Sequence, residues 1–490
     1  MKKEDLEKKH PLYKLNIEEW NFYTLTYDGG LPFINEVLYR YSTRESTENH
    51  TDRIKNGYIF NYAQSIVDLF NFYLTDSPRV LDVGKLSNDP QWLMFNEDAD
   101  LKNTNFDVYI NEVQKLSSVS GSIGNLVNKP NFEGKVVKDE INAGVYPYIS
   151  AYSLSNIFDW RFERNISTHR MELTYLKLFE EDQTYLLWWP DKWERWMIEK
   201  KTNTPKLSSL GINPLGEIPF VWMPNVKRMQ HTYLGVSDIV DVSRIVASIV
   251  RNLSCGEEIL KLAGFPMMRV PMDKDISVDT KDKEEGHDTG PTVVHEFDPT
   301  LGDSAKPDWM PTEVNEPIDA ILNWVDKKAD ECYRISHLAG IHGQRTSNEA
   351  QSGLALRYSF QQLFSVLSKK SENMTEAEYQ MVRLWLKWQN KEEDFKDVKI
   401  TRPKEFSIDD LAVQLDNAFT SMGRMYSKTY RIRMQEKVVS HTLPDLSKED
   451  RDKISKETEA MTPEELPLQT ETDARDQTGG GTTVRPADQA

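Results

Sequence analysis

Cysteine is nearly absent: Cys255 and Cys332 are the only two in 490 residues. Two thiols cannot build a disulfide framework or a structural zinc site, which fits synthesis in a reducing cytoplasm. Long apolar runs are also missing. No window reaches the roughly 18 apolar residues of a membrane span, and the N-terminal MKKEDLEKKHPLYKL has basic residues with no apolar core behind them, so neither a secretion signal nor a membrane partner is expected. There is no excess of positive charge. Lys and Arg number 60 against 78 Asp and Glu, a net charge of -18, whereas proteins that wrap nucleic acid present clustered cations to the phosphates. A DNA partner would therefore have to be handled without tight binding.

Known chemical motifs are equally scarce. No G-x-x-x-x-G-K-[ST] loop occurs, so ATP hydrolysis is not expected, and any energy for moving a substrate must come from a partner. His337 and His342 are five apart and do not share a helical face, and His287 and His295 lie eight apart. Neither pair has the Cys or carboxylate company of a zinc site. No cofactor, metal or catalytic residue is expected. Asp238 and Asp241 sit three apart, as paired catalytic carboxylates sometimes do, but nothing nearby completes a site.

Hydrophobic residues make up 38% and aromatics 10% of the chain, enough for a substantial core and for two to four domains. The fold class expected is α+β. Residues 59–74, IFNYAQSIVDLFNFYL, repeat apolar residues at helical spacing, and the segment from Phe106 through FDVYINEVQKLSSVSGSIGNLVNKP reads as a second helical stretch. HRMELTYLKLFEE and TYLLWWPDKWERWMIEK read as strands of a hairpin around Glu180–Gln183. Val236–Ser254, VSDIVDVSRIVASIVRNLS, predicts a helix with Val236, Ile239, Val240, Val246, Ile249, Val250 and Leu253 on one face. Asp238, Asp241, Arg244 and Arg251 are spaced for pairing along or between helices. Two β-like runs, FPMMRVP and PTVVHEF, enclose a very polar segment. EPIDAILNWVDKKADECYRISHLAG then predicts a second helix, with Pro317 in its first turn.

The next stretch, Thr346–Gly353, is small and polar, and it is followed from Leu354 to Asn390 by 37 residues with neither Gly nor Pro. A helix of that length spans about 55 Å and either crosses a whole domain or kinks near Ser371–Thr375. About a dozen residues separate the two helices, against the usual 4 to 6 of a compact domain. Ser407 is a good N-cap for a further helix, and the tail from Pro463 has no aromatic residue and is expected to be mobile. Lys327–Lys328 and Lys369–Lys370 read as solvated helix faces.

Five segments in this order, NIFDWRFE, NPLGEIPFVWMPN, YLGVSDIVDVSRIVASIVRNLS, NEAQSGLALRYSF and SMGRMYSKTYRIRMQEKVVSHTLPDLSKEDRDKISKETEA, resemble the portal protein of tailed double-stranded DNA bacteriophages, from about His10 to about Met461. The resemblance implies an α/β wing over 1–233, a first stem helix over 234–264, a small α/β clip over 265–314 and a second stem helix over 315–336. It further implies a tunnel loop over 337–352, a long wing helix over 353–393, a helical crown over 394–461 and a disordered tail over 462–490. It implies a homo-oligomeric ring, a dodecamer, at the portal vertex of the virion. Such a ring passes double-stranded DNA during packaging and ejection, docks the terminase large subunit and head-tail adaptor, and meets the major capsid and scaffolding proteins, with no enzymatic activity of its own.

On that reading His342, Gln344, Arg345, Thr346, Asn348 and Gln351 of the tunnel loop face DNA, with Lys327 and Lys328 as channel-lining candidates of the stem. Asp273, Lys274, Lys281, Glu284 and Glu285 of the clip dock partners, and Ile239, Ile249, Ile321 and Val325 pack between subunits. Two alternatives stand beside it: a metal-dependent nucleic-acid-processing enzyme whose site is built from scattered acids, and another structural head or neck protein.

Overall fold

Five helices open the chain: α1 (Lys3–Glu7), α2 (Pro11–Asp28), α3 (Gly30–Val37), α4 (Thr47–Asn56) and α5 (Tyr62–Asp76). Pro11 suits the first turn of α2, where its missing N–H costs nothing, and the His10 ring accepts the Leu12 N–H at 3.1 Å. In α5, Ala63, Ile66, Val67, Phe70 and Leu74 are all buried, the stripe its sequence spacing predicts. Strand β1 (Val80–Asp82), α6 (Pro90–Glu97) and α7 (Phe106–Ser120) follow. The protein is described here from a computed structural model covering residues 2–76, 79–132, 137–264, 268–271, 294–297, 308–309, 315–338 and 353–402, with 439, 450, 453–454 and 456–457.

The helical pattern expected to run on past Ser120 stops there. Gly121 takes a left-handed φ of 92° as the cap of α7, and Ser122–Asn128 form a strand, β2. The strand was hidden because Ser122 through Val127 are all buried, so no polar-apolar alternation marks it. β2 packs against α7 and later against the long helix. It is the middle of a three-stranded antiparallel sheet, between β3 (Tyr148–Ser153) and β9 (Phe220–Pro224), with α8 (Val137–Asn142) between β2 and β3 in sequence.

Beside it is an antiparallel five-stranded meander of β4 (Ile157–Arg164), β5 (Met171–Glu180), β6 (Thr184–Trp188), β7 (Lys192–Ile198) and β8 (Pro205–Ile212). The β5–β6 turn falls at Glu181–Gln183, as the sequence suggests. Asp182 and Gln183 there have φ of 56° and 58°.

Then come α9 (Val242–Gly264), a small sheet of β10 (Met268–Pro271), β11 (Val294–Phe297) and β12 (Asp308–Trp309), and α10 (Asn315–Ile335). β10 is central, parallel to β11 and antiparallel to β12. The long helix α11 (Gly353–Trp388) has 36 residues, about 54 Å. Leu363, Leu367, Met374, Met381, Val382 and Trp385 along it join the main core, which also takes in residues from α1 to β9.

One boundary moves. Residues 394–402, expected at the start of a crown, belong to this body: β13 (Lys399–Thr401) pairs antiparallel with β1, and Val398 and Ile400 are core residues. The chain divides into two compact units only at Phe406–Ser407. The rest of the expected crown and the tail lie almost wholly outside the described residues.

Candidate functional site: a helix pair and its root

The helices α9 and α10 lie side by side and run antiparallel. Ser248 of α9 accepts the Lys328 ammonium at 2.7 Å, whereas Gly256, two turns further on, faces Ile321. Higher numbers on α9 therefore meet lower numbers on α10. Their seam is a small apolar cluster of Ile249, Leu253 and Val325, with Ile245 and Ile321 packed against it. Tyr62 of α5 joins it and meets Tyr333 edge-to-face at 6.0 Å, tying the pair to the helical base.

Within one chain these apolar residues already cover one another. Ile249 and Val325 are buried against one another within one chain, Ile239 is buried in the main core, and Ile321 is partly covered by the same seam. A stripe at helical spacing says that a face is covered, and here the partner helix of the same chain covers it. The large apolar side chains left exposed on α10 are Leu322 and Trp324.

The root of α9 also departs from the expected helix. Residues 236–241 are not helical, and α9 starts six residues later than Val236 and runs on to Gly264. Val236 bridges Val226 in antiparallel fashion, the Ser237 hydroxyl donates to the Val119 carbonyl at 2.6 Å, and Asn225 donates to the Val236 carbonyl at 3.0 Å. The two backbones cross at Gly121 and Gly235. A Cβ built on Gly235 would lie 2.3 Å from the Gly121 oxygen, and one on Gly121 would lie 2.9 Å from the Gly235 oxygen. The helix cannot start before this crossing is passed.

Asp238 occupies that root, and its partner is Lys370 of α11, not another carboxylate. Lys370 is fully buried. Its ammonium pairs with the Asp238 carboxylate and lies over the Phe70 ring at 4.4 Å. The other Asp238 oxygen accepts Asn225 at 2.8 Å, and Asn225 in turn accepts Ser118 at 3.2 Å and Gln114 at 3.3 Å. Burial pulls the Lys370 pKa below its ordinary value while Asp238 opposes the shift. The network joins α7, the residue that follows β9, the root of α9 and the middle of α11. It corrects the solvated-face reading for Lys370, while Lys369 is exposed as expected, and it gives Asp238 a structural partner. Arg244 pairs with Glu19 of α2, and Arg251 lies over Tyr39 at 5.5 Å.

Of the channel-lining candidates, Lys327 is exposed, while Lys328 is held by Ser248 and lies over Trp324 at 5.4 Å. Burial, then the nearby Arg251, lowers the Lys328 pKa. His342, Gln344, Arg345, Thr346, Asn348 and Gln351 lie outside the described residues, as do Asp273, Lys274, Lys281, Glu284 and Glu285. Among the described residues no group of three or more His, Cys, Asp or Glu is placed to hold a metal ion, and no helix is long and apolar enough to cross a membrane.

No family model and no curated protein matches the sequence. Among solved structures, the chain is similar to one in the virion of a native gene transfer agent particle, at 10% identity and a TM-score of 0.41. It is similar to chains in the necks of the empty particle computed with C6 symmetry and of the native particle computed with C12 symmetry, each at 10% identity and a TM-score of 0.42. In each case the match covers 76% of this chain and 89% of the other.

Proposed function

We propose that this protein is the subunit of a portal ring, twelve copies of which surround the DNA channel at one vertex of a tailed-phage capsid. The observation that carries the reading is the order of elements after Gly235. An antiparallel helix pair, α9 and α10, brackets a small three-stranded sheet, and after 339–352 a 36-residue helix runs into the base core. A protein that folds only to enclose a catalytic pocket has no need of a helix pair broken by a small sheet. A ring subunit uses the pair as the channel wall, the sheet as the end presented to a motor or adaptor, and the long helix as a brace.

The mechanism is geometric. A net charge of -18 per chain gives an assembled ring a negative field, and a channel wall of that sign would repel phosphate and let a duplex slide. Residues 339–352 leave the end of α10 and lead into α11, so His342, Gln344, Arg345, Thr346, Asn348 and Gln351 are the proposed DNA-facing groups, with Lys327 on the helix wall. The polar segment containing Asp273, Lys274, Lys281, Glu284 and Glu285 is the proposed docking surface for the terminase large subunit and then the head-tail adaptor. The base would meet the major capsid and scaffolding proteins. Packaging energy comes from the motor.

Negative-stain electron microscopy of the purified chain tests this directly. Top views with about twelvefold symmetry and a central hole of roughly 20 Å or more, wide enough for a duplex, are expected. Compact particles without a hole, together with metal-dependent cleavage of DNA, would replace the portal reading with that of a nucleic-acid-processing enzyme.

A further inference from the structure

A closed ring of identical chains joins one flank of each subunit to the opposite flank of the next, so the two flanks must carry different, complementary features. Resting on the ring reading above, we infer that the exposed Trp324 of one subunit inserts into the cavity beside α9 of its neighbour.

The geometry begins with the seam. Ile249 points at α10, and its neighbours Ser248 and Val250 project about 100° to either side of it. Ser248 holds Lys328, which lies over Trp324, so Trp324 stands on the Ser248 flank of the pair. Trp324 is 53% exposed. On the Val250 flank, between α9 and the end of α4, lies a cavity of about 300 Å³ lined by Val250, Leu253, Leu260, Tyr58 and Glu257. The protruding ring and the hollow are therefore on opposite sides of the helix pair.

They are also at about the same height along it. Ser248 is level with Lys328 and Gly256 with Ile321, which places Trp324 level with Asn252 and Leu253, and Leu253 lines the cavity. A sideways step from one subunit to the next, with little shift along the helices, thus brings indole to hollow. The charged lining of the cavity is balanced within the chain, Glu257 and Glu258 against Arg53 and Lys261, with Lys261 3.9 Å from Glu258, so position and apolar fit carry this pairing. A large ring entering an apolar hollow whose rim is charged is the usual form of an energetic anchor at an interface.

The test uses the full chain and two substitutions on opposite flanks, Trp324→Ala and Leu260→Glu, with Glu257→Arg as a second change at the hollow. Trp324 and Leu260 are each about half exposed, and melting curves matching the wild type are expected. Light scattering after size exclusion should give rings for the wild type and monomers for each variant alone. Mixing Trp324→Ala with Leu260→Glu should give dimers and nothing larger, because one intact ring-and-hollow contact remains between the two variants. Rings formed by either variant alone, or a mixture that stays monomeric, would overturn this pairing while leaving the ring reading in place. A wild type that forms no ring overturns both.

Discussion

Lys370, at the middle of the 36-residue helix α11, pairs with Asp238 in the turn before α9, and neither side chain is open to solvent. The pair links the brace of the molecule to the root of the helix pair. Removing one partner strands a charge in the core, which typically costs about 3–5 kcal/mol. Lys370→Met and Asp238→Asn should each lower the free energy of unfolding by an amount of that order. Together they should cost less than the sum, because neither change then leaves an uncompensated ion. Additive losses in urea titrations of the three variants would show that the two groups do not depend on each other.

The two thiols differ in environment and should differ in reactivity. Cys255 is exposed and Cys332 is buried. Burial, with Glu331 nearby, pushes the Cys332 thiol up to about 12, so almost no thiolate exists at neutral pH. Mass spectrometry after brief iodoacetamide treatment should find Cys255 modified and Cys332 intact, with both modified in guanidinium. Early labelling of Cys332 would mean that α10 separates from the base on that timescale.

Lys177 of β5 supplies a pH dependence. Its ammonium donates to the carbonyl oxygens of Asp5, at 3.0 Å, and Lys8, holding α1 against the meander. Burial depresses its pKa to about 8, with Asp159 opposing, whereas the unfolded chain keeps that proton to about 10.4. Between these values the unfolded state binds more protons, so this group makes stability rise with pH through that window. Relative to Lys177→Met, the wild type should gain midpoint from pH 8 to pH 10. A constant difference across that range would place the folded pKa near its ordinary value.

The channel reading makes a separate demand on the segment before α11. Arg345→Ala with Gln351→Ala should leave ring assembly unchanged while particles carrying the variant package or retain less DNA. Nuclease-resistant DNA per particle is the quantity to measure, and an unchanged value would remove those two side chains from the channel's work.

Much of the scaffold was legible because local signals agreed with the tertiary structure. The second helix, expected over 315–336, is observed as Asn315–Ile335, where Pro317 and a continuous apolar stripe act together. The long helix announced itself by its freedom from Gly and Pro. The parts that were not legible are those where distant chain segments decide. Residues 236–241 carry a helical pattern, yet Ser118, Val119, Asn225 and Val226 claim their backbone and side-chain hydrogen bonds. Lys369–Lys370 look alike in sequence, and only the position of Asp238, 132 residues away, puts Lys370 in the core. The stripe on α9 and α10 was read correctly as a packed face. Sequence could not say whether the cover came from the same chain or the next.

The crossing of Gly121 and Gly235 constrains how this protein can change. Each glycine's missing side chain would strike the other's main-chain oxygen, and a main-chain oxygen is present whatever residue stands there. No second substitution at the partner position can make room for the first. A library randomised at both sites and selected for folded protein should therefore return glycine at each one independently, with no compensating pairs. In divergent versions of this fold built on the same crossing, these two positions would serve as fixed landmarks for alignment after the surrounding sequence has lost all likeness.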